Sequence, residues 1–427
     1  MNAQYRRGAC PALSAPMMTG DGLLVRLNLS EGGIAPRTLA ELCQAAMRHG
    51  NGLVEITARG SFQVRGLTPS SAPLFAAEVD ALDIPVRDGV PVETSPLAGL
   101  DPQEIADPRP LVRAIRAQAE REGLSRRLGP KVSVIVDGGG QVSLDAVTAD
   151  VRVTAQAGGG WVVSAANGEG CLCGDAGRTA TVVIEALAAI AALGTAARGK
   201  DLSSTLPPSV LPDISPTREE IGQSQTSQLP ISPTEREMSG RTEAGATERT
   251  RLGLMPLRAN RSALAIAVPF GQCDASALAS LAWAADGIHD FRFAPGRRLL
   301  ALGPRPACEA LAAAADSLGF IADPADPRLW VAACAGAPAC ASGLFDARGL
   351  GTRIAALLPS GFAGTVHVSG CAKGCAHPAP AALTLAGALG GVAFMRNGRA
   401  SDAPVALSPD ADAALDLLRR ELIETAA

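Results

Sequence analysis

The chain has 427 residues, 47% of them apolar, so roughly two to four domains with well-filled cores are expected. A net charge of −4, with one tyrosine and three tryptophans, excludes a general nucleic-acid binder, which needs a basic footprint and a stacking platform. The longest apolar helical run, 184–197, is shorter than the ~20 residues a bilayer requires and contains Glu185, so no membrane span is expected.

Near the start, Arg6-Arg7 is followed by no sustained apolar stretch, so no export signal is legible and a cytoplasmic, reducing setting is expected. Residues 22–29 (G-L-L-V-R-L-N-L) read as a strand, 37–49 as a helix, and 52–56 and 62–64 as two further strands. Beyond them, 92–200 reads as α/β. It has a helix at 110–122, a strand at 132–136, a Gly138-Gly139-Gly140 turn, strands near 151–153 and 161–164, and a closing helix at 179–193. Cys171 and Cys173 fall in a glycine-rich segment that reads as a turn, where a pair of thiols is more often incidental than an extra iron site. Residues 201–250 are rich in Ser, Thr, Pro, Glu and Gln, and L-P-D-I-S-P-T-R-E is echoed by L-P-I-S-P-T-E-R-E, which reads as a low-complexity disordered linker.

After the linker the β–α–β–β order returns: a strand at 263–268, a helix at 275–285, and strands at 288–293 and 298–302. Each copy is too small to bury a good core alone, and pairing the two into one pseudo-symmetric unit solves that. The chain then divides into a half-domain (1–90), an α/β domain (91–200), the linker (201–250), a second half-domain (251–325) and a second α/β domain (326–427) closed by a helix at 411–422.

The last domain carries Cys334, Cys340, Cys371 and Cys375, a C-x5-C and a C-x3-C. Four thiolates from two short loops suit a 4Fe–4S cube. Residues 364–368 read as a strand that delivers Cys371, and Gly370 and Gly374 let backbone N–H groups approach the sulfurs. Structural zinc prefers x2–4 knuckles, disulfides are disfavoured in a reducing setting, and inert packing explains two close pairs poorly; these remain the rival readings. Cys10, Cys43, Cys273 and Cys308 are isolated and read as structural.

These cysteine pairs, the duplication, and T-A-R-G-S-F-Q-V-R-G-L (57–67), S-P-L-A-G-L-D-P (95–102) and L-G-P-K-V-S-V (128–134) resemble the nitrite and sulfite reductase family. The resemblance spans nearly the whole chain. It implies an α+β fold of duplicated ferredoxin-like half-domains with two α/β reductase-type domains, and a 4Fe–4S cluster set against a macrocycle. Thr57, Arg59, Gln63, Arg65 and Lys131 match family positions that line the macrocycle, so they are carried over as substrate- or macrocycle-binding residues. Arg297 and Arg298 occupy a similar place in the second copy without the T-x-R context.

Within the family, R-R-G-A-C-P-A-L-S-A-P-M (6–17) and H-V-S-G-C-A-K-G-C-A-H-P (367–378) look most like the branch that hydroxylates precorrin-3A at C20 in aerobic cobalamin biosynthesis, with γ-lactone formation. That resemblance implies dioxygen as co-substrate, leaves room for a further non-haem iron, and puts Cys375 nearest the macrocycle. The catalytic residues are unknown: the four histidines, His49, His289, His367 and His377, form no two-histidine, one-carboxylate pattern. The alternative is an assimilatory sulfite or nitrite reductase with sirohaem. Against it, Ser133 stands where the reductases carry a second lysine after Lys131, and V-P-V-E-T precedes S-P-L-A-G where an arginine is expected. A cluster-bearing electron carrier is a third reading, but a carrier needs no macrocycle pocket. The glycine runs at 138–140 and 158–160 form no G-x-G-x-x-G, so electrons are expected from a separate NAD(P)H-linked reductase. The duplication already supplies a pairing surface, so a monomer is expected.

Overall fold

The computed structural model describes residues 11–29, 32–166, 170–202 and 251–426, with side chains to Leu422. Arg6, Arg7, Cys10 and nearly all of the linker lie outside the described residues. The first copy comprises β1 (Met17–Thr19), β2 (Gly22–Leu27), α1 (Pro36–His49), β3 (Leu53–Ile56), β4 (Phe62–Leu67) and α2 (Ser71–Ala81). Next come β5 (Val92–Thr94), α3 (Arg109–Arg121), α4 (Leu124–Arg127), β6 (Val134–Asp137), β7 (Val151–Ala155), β8 (Trp161–Ala165), β9 (Cys171–Cys173) and α5 (Ala176–Ala192). The second copy has β10 (Gly253–Leu257), β11 (Arg261–Ala267), β12 (Gln272–Asp274), α6 (Ala275–Trp283), β13 (Asp290–Ala294), β14 (Arg298–Gly303) and α7 (Arg305–Ser317). The chain ends with β15 (Val331–Ala333), α8 (Ala347–Ala355), β16 (Val366–Ser369), β17 (Ala381–Ala388), β18 (Gly391–Gly398), β19 (Ala406–Ser408) and α9 (Ala411–Ala426).

Two compact units result: Met1–Arg87 with Leu252–Ala427, and Asp88–Arg251. In the first unit, α1 starts on Pro36 and buries Leu39, Ala40, Leu42, Cys43, Ala45 and Ala46 at helical spacing. That stripe packs on α6, its counterpart in the second copy. The copies also exchange backbone bonds. Strand β12 extends the first sheet (order β1-β2-β4-β3-β12) by pairing Gln272 with Glu55, and Ile34 pairs reciprocally with Phe291. One continuous core joins them, with the Phe62 and Phe293 rings stacked at 5.1 Å. The expected pseudo-symmetric pairing is therefore present. Helices α2 and α7 complete each copy and were not expected from the sequence: α2 shows no sharp apolar stripe, with Leu74 58% exposed, whereas α7 buries Cys308, Leu311 and Ala315 at helical spacing in a stripe of mostly small residues.

The two α/β modules share one topology. Sheets β5-β6-β7-β8-β9 and β15-β16-β17-β18-β19 each run parallel over their first three strands and antiparallel over the last three. In the first module, the loops after β5 and β6 are tied together by Asp101, which accepts from the Gln141 backbone and amide at 2.5 and 3.0 Å. In the second, the loops after β15 and β16 carry the four cysteines. Cys171 and Cys173 correct the turn expected there. They form edge strand β9 against β8, with Leu172 outward and Cys173 buried, and burial first, then Cys171, pushes the Cys173 thiol up to about 11. Cys43, Cys273 and Cys308 are buried with raised thiols, as expected of structural cysteines. Among the described residues no helix is long and apolar enough to cross a membrane.

Candidate functional site

Parallel strands place the cysteines. Cys334 follows β15 directly, and Cys371 lies two residues past the end of β16, as the strand at 364–368 anticipated. The Cys334 loop turns back through the Cys340 N–H, which donates to the Gly336 carbonyl at 2.7 Å. The Gly370 N–H donates to Cys334 Sγ at 3.1 Å, the backbone-to-sulfur contact expected of that glycine. A Cβ on Gly370 would stand 3.1 Å from the α-carbons of Gly336 and Gly343, so a side chain there would push the two loops apart by a few tenths of an ångström. The Cys375 thiol is raised first by desolvation and then by the charges of Cys334, Cys371 and Cys340, while Arg65 lowers it. Among the described residues no three His, Cys, Asp or Glu side chains gather tightly enough to share one metal ion, whereas a cube takes each thiolate on a separate iron. Donor set, loop closure and the N–H to sulfur contact fit a four-iron cluster.

The first-copy sheet presents Val25, Leu27, Val54, Ile56, Phe62 and Val64 to the core. Its other face carries a polar row, because side chains alternate along each strand. Arg26, Gln63, Glu55 and Gln272 stand in direct register across β2, β4, β3 and β12. With its amide oriented to suit its neighbours, Gln63 accepts from Arg26 at 2.6 and 2.7 Å and donates to Glu55 at 3.2 Å. Arg65 donates to Asp21 at 2.7 and 2.9 Å and to Glu55 at 3.1 Å. Burial alone would raise the Asp21 carboxyl, but Arg65 outweighs it and holds the group below its ordinary value. The same two carboxylates hold Arg65 above the usual guanidinium range against its own burial. The family resemblance offered Arg65 as a substrate- or macrocycle-binding residue; here two carboxylates of the chain already answer its charge.

Thr57 organises the β3–β4 turn by accepting the Ser61 N–H at 3.0 Å. Gly60 has φ +78°, and a Cβ there would lie 2.8 Å from the Ala294 backbone, so the turn lies against the second copy, with Arg59 half-buried beside Gly60. Arg297, at the tip of the matching β13–β14 turn, donates to the Ala376 carbonyl in the Cys375 loop at 2.7 Å. Sequence context ranked it below Arg59, yet it reaches the cysteine loop directly. Arg298 is buried and donates to the Pro295 carbonyl at 2.7 Å. In the other unit Lys131 is exposed, and Ser133 is buried with its N–H donated to Asp150 at 3.0 Å. A cavity of about 360 Å³ beside the Cys334–Cys340 loop, lined by Phe270, Arg328, Pro338, Asp346, Arg348 and Thr352, carried no sequence signal.

His367 on β16 is fully buried, and neither ring nitrogen has a hydrogen-bond partner among the described residues. Burial, then His377 and Arg297, pushes its pKa down to about 4 from 6.5. The unfolded chain therefore takes up this proton before the folded one as pH falls. Stability should be full above about pH 6.5 and decline towards pH 4, by on the order of 3 kcal/mol from this group. Urea unfolding of the cluster-free chain at several pH values should show this slope flattened by His367→Phe; an unchanged slope would assign it to other groups.

The profile of the nitrite/sulfite reductase ferredoxin-like half domain matches residues 15–82. A precorrin-3B synthase from Sinorhizobium sp. is 38% identical over 422 residues, covering 96% of this chain and 86% of that protein. A ferredoxin–nitrite reductase from Synechococcus elongatus is 27% identical over 147 residues, covering 32% of this chain and 29% of that one. The Mycobacterium tuberculosis NirA protein superposes with a TM-score of 0.60 at 19% identity, covering 86% of this chain and 71% of that one, which shows the shared fold. At 38% identity over 96% of its length, the chain belongs to the precorrin-3B synthase family, built on the nitrite and sulfite reductase fold.

Proposed function

We propose that this chain is an oxidoreductase of aerobic cobalamin biosynthesis. It hydroxylates precorrin-3A at C20 with dioxygen, and a γ-lactone forms from the ring A acetate. One oxygen atom enters the product, and two electrons with two protons carry the other to water. The observation that carries this reading is the contact of the Cys334–Cys340 loop, through the Gly20–Asp21 turn, with the Arg65 face of the first-copy sheet, in a chain 38% identical to a precorrin-3B synthase. Bound to the four thiolates, a 4Fe–4S cluster would supply single electrons from an NAD(P)H-linked reductase. The chain's own residues would bind and orient the macrocycle: Thr57 shapes the turn that presents Arg59, Arg297 ties the opposite turn to the Cys375 loop, and Gln63 and Arg65 form the wall between them.

Electrostatics favour this over the reduction of a small anion. A reductase pocket needs uncompensated cations through the reaction, and Arg65 faces Asp21 and Glu55 instead. The absorption spectrum of anaerobically purified protein is the test. A broad band that bleaches on reduction, without a Soret band, and C20 hydroxylation of added precorrin-3A are expected. A strong Soret band with chlorin features, and sulfite or nitrite consumption, would instead establish a sirohaem reductase.

A further inference from the structure

The turn Thr19-Gly20-Asp21-Gly22, between β1 and β2, touches both halves of the site. On one side the Gly20 carbonyl accepts the Ala341 N–H at 2.9 Å, immediately after Cys340. A Cβ on Gly20 would lie 2.6 Å from Cys340 Sγ and 3.1 Å from Ser342 Oγ, so a side chain there displaces the Cys340 sulfur from its present position. On the other side, the adjacent Asp21 grips Arg65 through both carboxylate oxygens, its side chain only 1% exposed. Thr19 Oγ1 lies 2.7 Å from both Asp21 Oδ1 and the Gly22 carbonyl, which fixes the carboxylate within the turn. Gly22, at φ +112°, sits so close to β4 that a Cβ would be 2.8 Å from the Leu67 carbonyl. One rigid turn therefore links a cluster cysteine to the buried arginine of the macrocycle wall.

We infer that this turn is a positioning element for the cluster: Gly20 seats the Cys340 thiolate, and Asp21 holds the Arg65 charge beside the cluster loops. The inference rests on the reading that the four cysteines hold a cluster. It has two consequences. Cluster retention depends on the absence of a side chain at position 20. The reduction potential depends on the Asp21–Arg65 pair, since a fixed negative charge near the cluster disfavours the added electron and a fixed positive charge favours it.

The test uses the full chain, purified and reconstituted anaerobically with iron and sulfide, with iron and acid-labile sulfide assays and a redox titration followed by electron paramagnetic resonance. Gly20→Ala should lose cluster content several-fold while its circular dichroism matches the parent. Asp21→Asn should raise the midpoint and Arg65→Gln should lower it. The expected size is about a tenfold change in the reduced-to-oxidised ratio at fixed potential, or ~59 mV for one electron. If Asp21→Asn does not fold, the direction of the Arg65→Gln shift and the loading of Gly20→Ala still decide the matter. A parent chain that takes up no iron and sulfide would overturn the cluster reading itself. A loaded parent with an equally loaded Gly20→Ala and unmoved midpoints would overturn the positioning role alone.

Discussion

Replacing Cys371 with serine is expected to strip the proposed cluster and abolish hydroxylation, leaving less than about a thousandth of the parent rate. A serine hydroxyl stays protonated near neutral pH and is a hard ligand, whereas iron in a sulfide cage is matched to thiolate. Cys371 follows the buried strand β16, whose Val366, His367, Val368 and Ser369 are all buried, so the backbone cannot readily move another ligand into its place. The structural cost should be small, because Cys371 is half-buried and the change is nearly isosteric. Iron and sulfide assays, the visible absorption band and product formation would check this together. A Cys371→Ser protein that kept its iron, sulfide and turnover would show the cysteine pattern to have been misassigned. Cys171→Ser is the control: that thiol lies on β9 in the other unit and should leave the cluster signal intact.

Phe62→Ala is expected to destabilise the unit formed by the two copies by roughly 3–5 kcal/mol. Phe62 is fully buried on β4, and its ring stacks on Phe293 of the second copy at 5.1 Å with an interplanar angle of 20°. Truncation removes the buried area and leaves a cavity where the copies meet, in a core that cannot collapse without shifting both sheets. The same change should loosen the Thr57–Ser61 turn that precedes it, so macrocycle affinity should fall with stability. Urea denaturation would read the first effect and ligand titration the second. Leu389→Ala, at a position 96% exposed, should stay within about 0.5 kcal/mol of the parent. A loss at Phe62 no larger than at Leu389 would mean that the copies do not depend on each other for their core.

The two substitutions separate the parts of the design. The ferredoxin-like copies supply a rigid polar sheet face and hold it by burial, so its weakness is cavity formation. The cysteine loops bury few apolar side chains and are closed by glycine backbone contacts, so their weakness is the loss of a ligand or the addition of a Cβ. The first α/β module shows the same topology with no cysteine in the equivalent loops. There the Asp101–Gln141 hydrogen bonds bind the equivalent loops to each other. Duplication produced two such scaffolds, and only one has loops whose chemistry suits iron.

Sequence by itself determined the elements whose signal is local. Period-two runs located β2, β4, β11 and β14, helical spacing located α1, α5 and α6, and cysteine spacing selected a cluster over a zinc knuckle as the expected chemistry. The duplication was legible because both copies repeat one β–α–β–β order. Only the tertiary structure decided which polar residues share a face and what each one meets. The family motif marked Arg65 as a macrocycle-binding residue, but did not show that Asp21, forty-four positions away, and Glu55 stand beside it. Arg297 lacked a motif, yet reaches the Ala376 carbonyl across seventy-nine positions. Gly20 carried no signal, since the need for a missing Cβ exists only once Cys340 is folded against it. Periodicity and ligand spacing are written along the chain; the compensation of a charge and the space around a sulfur depend on residues far apart in it, and exist only when the sheet and the loops have closed.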